Sequence, residues 1–100
     1  MQYVYAISDG YNIKIGVSKH PEKRIKQLNT GNAESLYLLG YFEGDRKLEK
    51  YIHDNFRKVR FNGEWMYPTE ELLDYLNNKI DKKYIMITDG KVKSYLCLRK

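Results

Sequence analysis

Tyr5 and Lys14 lie in two short stretches of alternating side-chain character, Tyr3 to Ile7 and Tyr11 to Val17, joined through Asp9-Gly10. An Asp-Gly pair tolerates the positive φ angles of a type I′ turn, so the stretches are predicted to form a β-hairpin with a two-residue loop. Counting outward from that loop sets Ser8 against Tyr11, Ala6 against Ile13, Tyr5 against Lys14 and Val4 against Ile15. Opposed residues have Cβ atoms about 5 Å apart, which brings a phenol and an ammonium together on one face. A phenol titrates near about pH 10 and needs a neighbouring cation or a metal-bound water before it can act as a base at neutral pH. The blander account is an aromatic–cation contact that stabilises the sheet by about 0.5 kcal/mol. Glu49 and His53 stand one helical turn apart, so both project from one helix face and can meet at one pocket. There the imidazole can serve as a general acid, contact a phosphate, or pack inside the fold. Arg57, Lys58 and Arg60, with Phe61 beside them, form a basic strip suited either to tracking a polyanionic backbone or to a solvated loop.

These residues need a scaffold, and the rest of the pattern supplies one. His20-Pro21-Glu22 opens a helix whose apolar stripe is Ile25 and Leu28 and which Gly31 ends. Leu36 to Phe42 reads as a third strand closed by Gly44, after which Asp45 caps a second helix with the apolar row Leu48, Ile52 and Phe56. Asn62-Gly63 makes a turn, with Glu64 and Trp65 just beyond it either orienting the site or closing the core. Thr69 caps a third helix that turns Leu72, Leu73, Leu76 and Ile80 inward. Ile85, Ile87 and Val92 flank a second Asp-Gly turn at Asp89-Gly90, predicting a terminal hairpin. The expected architecture is therefore an α/β chain of the α+β kind. It has a small antiparallel three-stranded sheet, about three flanking helices and an extra C-terminal β-hairpin, with residues 1–82 as the main domain and 83–100 as its extension.

One hundred residues suffice for one core but not for two. An apolar fraction of 42%, ten tyrosines and 31% charged residues describe a folded chain rather than a disordered one. No apolar run approaches the ~20 residues of a bilayer span, and no export signal opens the chain, so no membrane partner and a cytoplasmic location are expected. Cys97 is alone, which excludes an internal disulfide and a thiolate metal cluster and suggests a packing residue. A net charge of +5 makes a polyanion the natural partner to consider.

The order of elements and the residues on them resemble the GIY-YIG nuclease superfamily. Tyr3-Val4-Tyr5 stands at the first signature strand, Lys14-Ile15-Gly16 at the second, and Arg24 follows on the next helix. The resemblance is closest to a branch common in phage and related genomes, in which lysine replaces the second signature tyrosine. Gln27-Leu28-Asn29-Thr30-Gly31-Asn32, the Leu48-Glu49, Ile52-His53 and Phe56 pattern, and Gly63-Glu64-Trp65 belong to that branch as well, so the similarity spans roughly residues 3 to 77. It implies a metal-dependent endonuclease that hydrolyses phosphodiester bonds in DNA. Tyr5 would help to activate water, and Lys14 would favour the Tyr5 phenolate or hold a phosphate oxygen. Arg24 would grip the scissile phosphate and steady its transition-state charge, and Glu49 would anchor Mg2+ or Mn2+, completed by water and phosphate oxygens. His53 joins this catalytic group, while Tyr3, Lys14, Arg24, Arg57, Lys58 and Arg60 are the expected nucleic-acid contacts. The chain departs from the family at Lys14 and in the downstream asparagine near the metal, for which Asn62 and Asn77 are the candidates. The alternative reading is a catalytically weak or inactive nucleic-acid-binding module on the same scaffold. A third places a protein partner, or a second copy in a homodimer, on the C-terminal hairpin.

Overall fold

The computed structural model describes residues 1–30 and 35–96. The helix stop at Gly31, the Gly31-Asn32 end of the first motif, and Cys97 lie outside the described residues. The chain runs β1 (Tyr3–Ser8), β2 (Ile13–Ser18), α1 (Pro21–Asn29), β3 (Tyr37–Glu43) and α2 (Arg46–Asn55). A 3-10 turn (Arg57–Val59), β4 (Arg60–Asn62), β5 (Trp65–Met66), α3 (Glu70–Lys79), β6 (Lys83–Thr88) and β7 (Lys91–Leu96) follow. The α+β class and the terminal hairpin are as expected, with three helices and seven strands among the described residues.

The main sheet has five strands rather than three, antiparallel in the order β3-β1-β2-β5-β4. The two additions flank the Asn62-Gly63 turn, where Gly63 takes φ +61°. They escape the alternation rule because β5 is two residues long and β4 three, too short to show a period.

The first hairpin also differs from expectation. Its loop is the four residues Asp9 to Asn12, so Tyr5 faces Gly16, Ile7 faces Lys14, and Ser8 faces Ile13. Side chains decide this. The Asp9 carboxylate accepts hydrogen bonds from the backbone N–H of Tyr11 and of Asn12, both at 2.9 Å. The buried Ser8 hydroxyl donates to the Asn12 carbonyl at 2.6 Å and accepts from the Gly10 N–H at 2.9 Å. Of the pair, Gly10 alone takes positive φ, whereas a type I′ turn needs it at both positions. At Asp89-Gly90 both angles are positive, +55° and +77°, and the loop is the predicted two residues. A shift of two residues, unlike a shift of one, leaves every side chain on its original face, so Lys14 stays on the Tyr5 side as a diagonal neighbour.

One sheet face carries Val4, Ala6, Ile13, Ile15, Phe42 and Met66, which form the core with Ile52 of α2 and Leu72 and Leu76 of α3. The other carries Tyr3, Tyr5, Lys14, Gly16 and Tyr41. The terminal hairpin closes the core. Ile85 and Val92 are buried in it, the Val92 N–H donates to the Gly10 carbonyl at 2.8 Å, and the Ser94 hydroxyl donates to the Leu39 carbonyl at 2.7 Å. Asn77 clamps the hairpin to α3: its amide donates to the Ile85 carbonyl (2.9 Å) and its oxygen accepts from the Ile85 N–H (2.7 Å). Replacing Ile85 by alanine should therefore cost about 2–5 kcal/mol of global stability in a single denaturant transition. A separate early transition, with the main one unmoved, would mean that the hairpin is not part of the core.

Candidate active site

Four elements and one turn deliver the polar groups. Tyr5 projects from the middle of β1, between Gly16 on β2 and Tyr41 on β3. Its ring lies directly over Gly16, where a Cβ would fall 2.5 Å from the phenol Cζ. Glycine at position 16 is thus a steric condition for the tyrosine ring to lie across the strand. Arg24 sits on the first turns of α1, which Pro21, buried beneath the helix, starts without a side-chain cap. The Arg24 guanidinium lies near enough to the Tyr5 phenol to favour its ionised form, although the arginine is itself exposed.

Glu49 comes from the first turn of α2. Asp45 caps that helix by accepting from the N–H groups of Lys47 and Leu48, both at 3.1 Å, which fixes the turn on which Glu49 stands. One turn later His53 is buried, and its Nε2 donates to the carbonyl of Ile15 at 3.2 Å. Its Nδ1 is the one buried side-chain polar atom without a hydrogen-bond partner among the described residues. Glu64 follows the Asn62-Gly63 turn, and its own carbonyl accepts from the Ile15 N–H at 3.3 Å. Its carboxylate stands 4.0 Å from the Lys14 ammonium, which also lies 6.0 Å from the centre of the Trp65 ring.

The electrostatics tie these groups together. Burial raises the pKa of Tyr5 above its usual value; Arg24 opposes this, and the negative charges of Glu64 and Glu49 reinforce it. The phenol is therefore held neutral, chiefly by burial, and Lys14, expected either to favour a phenolate or to hold a phosphate oxygen, faces Glu64. Burial is also the main cause that raises Glu49, with the Glu64 charge second, against the lowering influence of His53 and Arg46. A helix N-terminus favours a carboxylate, yet desolvation and a like charge outweigh it here. The arrangement can grip an anion with Arg24, offer it a neutral phenol donor, and present two carboxylates to a cation.

Sequence spacing alone did not single out Glu64, the residue that links Lys14, Tyr5 and Glu49. Its signal was the Gly63-Glu64-Trp65 motif. The remaining candidates sit apart from this group. Tyr3 lies two residues along the same face and packs edge-on against Tyr41, with ring centres 5.4 Å apart. Arg57, Lys58 and Arg60 are exposed on the 3-10 turn and β4, where Arg57 and Arg60 act on Asp54, whose carboxylate is lowered first by its hydrogen bond to Lys50. Asn62 is exposed on β4. Asn77 is engaged by the Ile85 peptide, so it is not free to assist a metal.

A family model described as the T5orf172 domain matches residues 2–82, everything up to the terminal hairpin. The chain belongs to the T5orf172 domain family. That family is phage-associated and linked to nuclease-type, nucleic-acid-related activity. No curated protein and no solved structure matches the chain. The T5orf172 segment contains all the site residues above, while β6 and β7 lie beyond it.

Two outcomes test the geometry. Gly16→Ala should displace the Tyr5 ring and cost about 1–3 kcal/mol in chemical denaturation, with no effect expected if the ring does not cover that position. Glu49 binds its proton more readily in the folded state, so its ionisation destabilises the fold once pH exceeds its raised folded value, and the penalty vanishes below the ordinary carboxylate range. Glu49→Gln should accordingly raise the melting temperature at pH 7 to 8, with the gain shrinking to nothing near pH 4; a gain independent of pH would contradict this.

Proposed function

We propose that this T5orf172 domain is a GIY-YIG-type endonuclease that hydrolyses phosphodiester bonds in DNA. The observation that carries the reading is that the Arg24 guanidinium and the Glu49 and Glu64 carboxylates, from separate parts of the chain, all act on the Tyr5 phenol, and Glu64 acts on Glu49. A convergence of that composition fits a phosphate that must be held while water attacks it.

Arg24 binds the non-bridging phosphate oxygens through its planar fork and offsets the charge that builds as the water oxygen bonds to phosphorus and the bridging P–O bond breaks. Tyr5, with Arg24 beside it, would donate its proton to orient the water or a phosphate oxygen. Lys14, on the same face, adds positive charge once a phosphate competes with Glu64 for it.

The donor set suits a hard divalent cation. Among the described residues no group of three histidines, cysteines or acids forms a closed cage. Yet two carboxylates stand close enough for one to raise the other, a repulsion that a cation relieves. Magnesium and manganese accept this kind of open site, with one or two carboxylates and the rest of the shell from water and phosphate. Glu49, with Glu64 beside it, would hold the ion, which when bound supplies Lewis-acid stabilisation of the phosphate. A cation there would also offset two of the negative charges that raise the Tyr5 phenol, while burial and the influence of Arg24 would remain.

The alternative, a module that binds nucleic acid without cutting it, is favoured by the neutral Tyr5 and by the Lys14–Glu64 pair, and one assay separates the two. With magnesium or manganese the protein should nick supercoiled plasmid, and Glu49→Ala and Arg24→Ala should each reduce the rate by about a hundredfold or more with the fold intact. Nicking that survives chelation would sink the metal-dependent mechanism. Salt-sensitive retention of DNA without product would leave the binding module in its place.

A further inference from the structure

Beside the Arg24–Tyr5 pair, on the same sheet face, the chain forms a cavity of about 430 Å³ between β1, β3 and the start of α1. Its walls are the rings of Tyr3 and Tyr41, and its rim carries Lys19, His20 and Lys23 against a single carboxylate, Glu22. The volume falls within the range of about 300–1,000 Å³ typical of small-ligand pockets. Tyr41 is 37% exposed, so its ring is available to a ligand. The two rings meet edge to face at 74°, so they are not stacked on each other.

Aromatic walls discriminate between kinds of nucleic acid. In a continuous duplex the base faces are stacked away and only their edges reach the grooves, so a side-chain ring has nothing to stack on. An unpaired base exposes its face, and stacking on an aromatic ring is tolerant of sequence. The lysines around the opening supply the charge that a flanking phosphate requires.

Building on the nuclease reading, we infer that this cavity is a subsite for an unpaired nucleotide next to the phosphate held by Arg24. The substrate class is then DNA with a single-stranded or flapped nucleotide at the cleavage position rather than uninterrupted duplex. Tyr41 and Tyr3 stack the base, and Lys19 and Lys23 hold the adjoining backbone.

The test is equilibrium binding by fluorescence anisotropy, with the full chain in chelator at one fixed salt concentration. Flapped and single-stranded oligonucleotides should bind at least several-fold more tightly than a duplex of equal length. Tyr41→Leu, which keeps apolar bulk without a π-face, should weaken the flap by roughly five- to a hundredfold, the span of one base–aromatic stack, and should leave the duplex unchanged; Tyr41→Phe should retain the preference. In the unaltered protein, 2-aminopurine at the unpaired position should be quenched on binding. Equal affinity for flap and duplex, an unaffected Tyr41→Leu protein, or an unquenched probe would overturn the subsite. Metal-dependent cleavage without a flap preference removes the subsite and leaves the nuclease standing, whereas a flap-binding preference with no cleavage of either plasmid or flapped DNA does the reverse.

Discussion

The site depends on how one peptide at the edge of the sheet is satisfied. β5 pairs with β2 only at Ile13 and Lys14, so the outward N–H and C=O of Ile15 have no strand to bond to. Buried backbone groups left without partners are costly, and here two non-strand partners serve them. The carbonyl of Glu64 takes the N–H, and the ring of His53 donates to the C=O. Each partner brings a carboxylate with it: Glu64 its own, and His53 that of Glu49 one helical turn away. The same bonds that finish the sheet edge therefore place two acids beside the phenol that lies across β2.

This gives His53 a defined structural duty, whatever chemistry it also performs. The imidazole holds α2 against β2 through Nε2, while its buried Nδ1 remains unbonded. Glycine at position 16 complements it on the opposite side of the strand, where a side chain would expel the Tyr5 ring. Within a few residues, β2 thus supplies a backbone anchor for the acids, a flat bed for the phenol, and Lys14 as a counter-charge to Glu64. Dense use of one short strand makes the site sensitive to its register.

The aromatic face continues away from that strand. Tyr5, Tyr41 and Tyr3 form a row from the centre of the sheet toward β3 and the start of α1. Position along this row sets the character of each phenol. Tyr5 is buried and under the influence of Arg24, whereas Tyr41 is open to a ligand.

What the chain dictated locally was legible in the residues themselves. The Asp45 and Thr69 caps, proline at the head of α1, the apolar rows of the helices and the Asp89-Gly90 turn each follow from neighbours within a few positions, because capping, turn geometry and helical period are short-range physics. The grouping of Tyr5, Lys14, Arg24 and Glu49 was visible through motif order. Register, and with it the partner of each charge, was decided in three dimensions. Asp9-Gly10 carries the same dipeptide signal as Asp89-Gly90. At the first turn a buried Ser8 hydroxyl and the Asp9 carboxylate close a four-residue loop, and Tyr5 moves from Lys14 to Gly16. Glu64 joined the site for a similar reason: a two-residue strand carries no periodic signal, and only its pairing with β2 brings the carboxylate to Lys14 and Glu49.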